Sequence, residues 1–183
     1  MADIRLETER LLLRDWRGED ARDFHRLHCD PKVMATLGPV RAMDYTTGLI
    51  ADLQARSVRN GGHTYWAVER KNDGRVIGFC GLDRGYEVPI VDELEIGWRL
   101  ASDCWGRGYA REAARACLDW AVNRFPTERV VAITARINER SRGLMMRLGM
   151  QHLPRLDFDH AAVAEGSPLK PHVVYATRTD ADG

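Results

Sequence analysis

The period of the hydrophobic positions changes along the chain, and each change predicts an element. Residues 8–14 place Leu11 and Leu13 on one face and predict a first strand. Gly18-Glu-Asp20 then opens a helix in which Ala21, Phe24 and Leu27 step at helical spacing, and Asp30-Pro31 breaks it. A second helix begins near Asp44, with Tyr45, Leu49 and Leu53 on one side, and Asn60-Gly61-Gly62 is a loop. Residues 64–69 and 76–82 read as strands joined by the hairpin turn Asn72-Asp73-Gly74, the second with Gly78 and Gly81 inside it. Residues 92–100 form a longer strand in which Leu94, Ile96, Trp98 and Leu100 alternate with Glu93, Glu95, Gly97 and Arg99. A glycine-bearing loop leads into a helix over 108–125 whose buried stripe is Ala113, Cys117, Trp120 and Ala121, and Pro126 ends it. Residues 130–135 are a strand, and 141–148 a helix with Gly149 suited to its C-terminal cap. Residues 156–158 and 172–177 are final strands around a loop at 159–171. This order predicts an α/β sandwich around a mixed sheet, without internal repeats.

Composition narrows the class. The 183 residues read as one domain, 1–183, long enough to bury a real core. Lys+Arg and Asp+Glu both number 27, so the chain lacks the basic excess of a nucleic-acid binder. The local balance is uneven: residues 99–147 carry 10 Arg against 5 acids, so an anion is best met in the middle of the chain. No apolar run approaches the ~18 residues of a membrane span, and the first residues lack the apolar core of a signal peptide. Cys29, Cys80, Cys104 and Cys117 form no Cys-x-x-Cys pair, which argues against a zinc knuckle or a dithiol motif and fits a reducing cytoplasm.

The segment that carries chemistry is Asp92 through Glu112, a strand, a loop and a helix start. Gly106 and Gly108 leave the backbone open, so the amides of residues 107–111 can converge on an anion favoured by the helix dipole, with Arg107 and Arg111 adding charge. The phosphate loop of nucleotide hydrolases requires a Lys-[Ser/Thr] that is absent, and the dinucleotide fingerprint fails where Arg111 stands. A bare Gly-x-Gly is also compatible with a structural turn.

In its context, Trp105-Gly-Arg-Gly-Tyr-Ala-Arg-Glu-Ala113 after Glu95-Ile-Gly-Trp-Arg-Leu100 resembles the pyrophosphate motif of the GNAT superfamily of N-acetyltransferases. Trp105 at the start of the motif, Asn138-x-x-Ser141-x-x-x-Met145-x-x-Leu148-Gly-Met150, Arg10-Leu-x-Leu near the start and His172-Val-Val-Tyr175 near the end are similar to its ribosomal-protein N-terminal branch. The resemblance implies a GNAT fold, with six to seven strands splayed at the cofactor and about four helices. It implies acetyl-CoA as donor and an amine as acceptor, a small molecule or a protein N-terminus, with no metal, nucleic acid or membrane partner. A homodimer is compatible with it.

Carried over residue by residue, the strand edge at Trp98, Arg99 and Leu100 hydrogen-bonds the pantetheine. The amides of Gly106, Arg107, Gly108, Tyr109, Ala110 and Arg111 hold the pyrophosphate. Asn138 contacts the pantetheine arm, and Ser141 sits near the thioester. Amine acetylation needs a base for the amine proton and an acid for the departing thiolate. Many family members use a Tyr as that acid; Met145 stands in its place here, leaving Ser141 as the nearest hydroxyl, one that also suits a helix N-cap. Glu95 is the leading base, Glu93 its runner-up and His172 a third. Asp157-Phe-Asp159-His160 matches no standard metal set, and nothing in His28-Cys29-Asp30-Pro31 demands a base beside the thiol. The acceptor is expected across residues 29–46, the loop after Tyr86 and residues 159–171, with Asp30, Glu87 and Asp159 opposed there by Arg41 and Arg84. A non-catalytic acyl-CoA-binding module on the same fold is the alternative, and a nucleotide-binding enzyme a weaker third.

Overall fold

The computed structural model describes residues 4–177. Nine strands and five helices alternate along it: β1 (Ile4–Glu7), β2 (Leu11–Arg14), α1 (Ala21–His28), α2 (Pro31–Met34), α3 (Met43–Arg59), β3 (Tyr65–Arg70), β4 (Arg75–Arg84), β5 (Leu94–Leu100), α4 (Tyr109–Arg124), β6 (Val130–Ala135), α5 (Glu139–Arg147), β7 (Gln151–His152), β8 (Phe158–Asp159) and β9 (Pro171–Ala176). One sheet runs β1-β2-β3-β4-β5-β6-β9-β7, with β8 also paired to β9.

The expected first strand is two. The chain reverses at residues 8–10, where Thr8 Oγ1 accepts the Leu11 amide at 3.0 Å, and β1 folds back antiparallel on β2. Asp30-Pro31 does break the first helix, but it also starts another. Asp30 accepts the Lys32 amide at 2.9 Å and Pro31 occupies the first helical position, where its missing N–H costs nothing. Residues 154–156 form a 3₁₀ turn, so the expected strand at 156–158 shifts to β8.

Alternation sorts the helices onto two faces. Phe79 of β4 meets Phe24 of α1 edge-on, while its neighbour Cys80 places Sγ 3.7 Å from Cys117 Sγ of α4. Successive strand residues point to opposite faces, so α1 and α4 cover opposite sides. Cross-strand partners share a face. Trp98 pairs with Cys80 and belongs to the α4 side; Arg99 pairs with Phe79 and belongs, with Glu95 and Gly97, to the α1 side.

The sheet opens at one place. β5 and β6 are parallel neighbours joined through α4, but they pair only at Leu94 with Val130 and Glu95 with Val131. Beyond that point β5 pairs with β4 alone and β6 with β9 alone. The resulting wedge is the expected splay, and it positions the site.

Candidate active site

The wedge opens into a cleft of about 980 Å³, at the upper end of the range for small-molecule sites. Glu95, Gly97, Trp98, Arg99 and Leu100 line it from β5; Gly106, Gly108, Tyr109, Ala110 and Arg111 from the loop and α4; Thr134, Asn138, Ser141 and Met145 from β6 and α5. Lys32, Thr36 and Tyr45, with Tyr86 and Glu87, close the acceptor side, as does His160 of the 159–171 loop.

The free edge of β5 is narrower than expected. The Ala101 amide bonds the Ile77 carbonyl at 2.9 Å, so the backbone groups of the odd residues face β4 and those of the even residues face the wedge. The Arg99 carbonyl points at Gly78 of β4, 2.0 Å from where a Cβ there would stand. Arg99 therefore offers the wedge no backbone group. The Leu100 carbonyl does face it but accepts the Trp105 indole N–H at 2.9 Å. Ile96 and Trp98 carry the open edge, and Trp105, unusual at the start of the motif, fixes the end of the strand.

The loop after β5 delivers amides to the start of α4. Gly108 caps that helix at φ 81, left-handed backbone that an L side chain resists. A Cβ on Gly106 would meet nothing within 4 Å, so the ground before the helix N-terminus is clear. Arg10 clamps this loop from outside. Its Nε donates to Glu112 at 2.6 Å, its Nη1 to the Arg107 carbonyl at 2.9 Å, and its guanidinium lies 4.5 Å from the centre of the Tyr109 ring. Thr8 and Arg10 hydrogen bonds outweigh burial and hold the Glu112 carboxyl below the usual range. Arg107 is exposed and does not line the cleft, which departs from its expected share in the phosphate site.

Asn138, not Ser141, caps α5: its Oδ1 accepts the Ser141 amide at 3.2 Å and its Nδ2 donates to Thr134 Oγ1 of β6 at 3.0 Å. Ser141 is the third helical residue, half-buried with its side chain on the cleft; Met145, one turn on, is buried beside it.

Glu95 lies on the cleft floor where β5 and β6 part. Burial pushes its carboxyl up to about 7, against a Tyr65 hydrogen bond that pulls it down. Tyr65 was not among the expected site residues. Its ring lies over Gly97, where a Cβ would come within 2.9 Å of Cε1. The glycines inside β4 and β5 are the sequence signal for that approach, because Tyr65, Gly81 and Gly97 form one cross-strand row. Glu93 is committed elsewhere, ion-paired to Arg129 with Nε 3.1 Å from Oε2. His172 pairs with Ala135 as the second residue of β9, beside β6 as expected, but does not line the cleft. Its Nδ1–H is held by the Lys170 carbonyl at 3.0 Å, and burial lowers its basicity. His160 reaches the cleft instead, with Nε2 3.6 Å from Glu87 Oε1. Asp30 and Asp159 do not line it: Asp30 accepts the Ser102 hydroxyl at 2.5 Å. Nor do Arg41 and Arg84, the latter being paired to Glu128.

The cleft thus joins an open strand edge to a helix N-terminus, with the Glu95 carboxyl raised to about 7 at the fork. The chain belongs to the GNAT acetyltransferases: the acetyltransferase (GNAT) domain family matches residues 10–151. It is 31% identical over 152 residues to the uncharacterized protein YkkB of Bacillus subtilis (strain 168), covering 82% of this chain and 87% of that one. It is 27% identical over 152 residues to the uncharacterized N-acetyltransferase p20 of Bacillus licheniformis, covering 80% and 82%. In fold it is similar to RimL, a ribosomal L7/L12 alpha-N-protein acetyltransferase solved with coenzyme A, at a TM-score of 0.77 and 19% identity over 98% of this chain and 100% of that one. The protein is an acetyltransferase. No helix among the described residues is long and apolar enough to cross a membrane.

Proposed function

We propose that the enzyme transfers the acetyl group of acetyl-CoA to a primary amine by direct attack in a ternary complex, with Glu95 as general base. The observation that carries this is the Glu95 carboxyl, held at about 7 where the strands part. A base titrating near the working pH combines a usable ionised fraction with enough basicity to take a proton. Acetyl-CoA, when bound, supplies a thioester whose C–S bond breaks as the amine forms the new C–N bond. Ile96 and Trp98 hold its pantetheine arm along the open strand edge, and the amides of Gly106 and of Gly108 to Arg111 hold its pyrophosphate. Glu95 takes the amine proton, directly or through a water. The Ser141 hydroxyl donates to the departing thiolate in place of the Tyr that Met145 replaces, and the proton taken up by Glu95 passes through solvent to leave Ser141 neutral and the carboxylate ionised.

The test is thiol release from acetyl-CoA over a panel of peptide N-termini, lysine derivatives and small amines. Release matched by acetylated amine supports the reading. A melting-temperature rise with acetyl-CoA but no release with any amine would instead support the non-catalytic acyl-CoA-binding module.

A further inference from the structure

The Arg99 backbone is turned to β4, but its side chain reaches the cleft from the same face as Glu95. Its guanidinium lies 5.4 Å from the centre of the Phe79 ring and donates through Nη1 to His28 Nε2 at 3.0 Å. His28 is fully buried, and burial followed by the Arg99 charge lowers its basicity to about 4, so the ring stays neutral and accepts. Its Nδ1–H then donates to Thr46 Oγ1 at 2.8 Å, and the Thr46 hydroxyl donates to His25 Nδ1 at 3.0 Å. This chain props the guanidinium from behind. The Tyr45 hydroxyl lies near it and favours its charge. Among the described residues no carboxylate pairs with Arg99, and Arg41, stacked on Tyr45, adds positive charge nearby. A shielded guanidinium propped by a neutral imidazole, with donors to spare, lacks the counter-charge that such groups normally take.

Resting on the reading above, we propose that the acceptor amine carries an anionic group, carboxylate or phosphate, and that Arg99 binds it while Glu95 receives the amine. The planar fork can hold either anion through two parallel hydrogen bonds. Four residues of strand set the two Cα atoms about 13 Å apart, so the anion and the amine stand several bonds from each other. Arg56 lines the same cleft but is already paired with Asp52 at 2.8 Å and Asp83 at 3.1 Å, and Lys32, Arg111, Arg140 and Arg147 line it as exposed side chains, which leaves Arg99 as the shielded cation without a carboxylate.

Matched amines test this. Turnover is compared for 4-aminobutyrate and 6-aminohexanoate against their amides, and for phosphoethanolamine against ethanolamine, in wild type, Arg99→Met and Arg99→Lys. The anionic member should lead by about 10- to 100-fold in kcat/KM, carried mainly by KM. Arg99→Met should erase the lead and Arg99→Lys should keep part of it. The carboxylate and phosphate pairs show which anion is preferred. Binding is read separately, as the rise in melting temperature of the CoA-loaded protein with glutarate or inorganic phosphate, expected in wild type and absent in Arg99→Met. That variant should still respond to CoA. If its CoA response vanishes, Arg99 serves the cofactor's phosphates and the proposal fails. If amines are acetylated without preference for the anionic member, the proposal fails and the acetylation reading stands. If no amine is acetylated but the anion response depends on Arg99, the anion site stands and the acetylation reading fails.

Discussion

The ring of Tyr65 lies across Gly97, on the strand face that also carries Glu95. A side chain at Gly97 would meet the ring at 2.9 Å, and it is the glycine that lets the Tyr65 hydroxyl reach the Glu95 carboxyl. The hydrogen bond favours the ionised form, so it lowers a carboxyl that burial raises. Tyr65→Phe should therefore move the acid limb of the pH–rate profile to higher pH, with no change in the acetyl-CoA-induced melting shift. Gly97→Ala should do the same and in addition cost about 1–3 kcal/mol of stability through overpacking, read by denaturant unfolding.

Glu95 also links stability to pH. Its folded value, about 7, lies above that of a free carboxyl, so its contribution to stability is full below about 4.5 and is lost as pH rises through 7. Glu95→Gln cannot ionise. It should match wild type near pH 4.5 and be more stable at pH 8, by about 3 kcal/mol at most for a shift of this size. Urea midpoints across that range are the measurement. A difference that does not grow with pH would mean the carboxyl titrates normally.

The phosphate loop should fail in two distinguishable ways. Gly108→Val imposes a branched side chain on left-handed backbone with Arg10 Nη2 only 3.4 Å from the new Cβ, so the acetyl-CoA-induced melting shift should disappear. Arg10→Met leaves the loop's own backbone intact but releases Glu112 and the Arg107 carbonyl. It should weaken acetyl-CoA binding about 10-fold, the scale of one charge-assisted hydrogen bond, as read by isothermal titration.

Asn138 and Ser141 should separate. Asn138→Ala removes the cap of α5 and the tie to Thr134, and should cost about 0.5–2 kcal/mol together with a raised KM for acetyl-CoA. Ser141→Ala removes a hydroxyl that the helix does not need, and should lower kcat with KM little changed. Full turnover in Ser141→Ala would assign protonation of the thiolate to water.

What was legible in the sequence is what is local. The alternation in β5, the glycines before α4 and the Asn138 segment are each written within a few residues, and they line one cleft. Glu95 was legible because strand period alone sets its face. The misreadings lie where a partner comes from far away. Arg129 taking Glu93 and Arg10 reaching Glu112 both depend on tertiary placement. Tyr65 meets Glu95 only through the register of β3, β4 and β5, a three-strand relation that spacing does not encode. Arg99 was assigned by its backbone, and only the direction of one carbonyl shows that its side chain is the part facing the site.

The pH dependence of kcat/KM for acetyl transfer in wild type, Glu95→Gln and His172→Gln tests the account most directly. Wild type should gain activity as pH rises through about 7, where Glu95 ionises. Glu95→Gln should fall by about 10²–10⁴-fold and lose that limb, because the amide keeps the shape but takes no proton. His172→Gln should keep both rate and limb, since its ring lies off the cleft. A limb that survives Glu95→Gln and vanishes in His172→Gln would make the imidazole the base and contradict the central assignment.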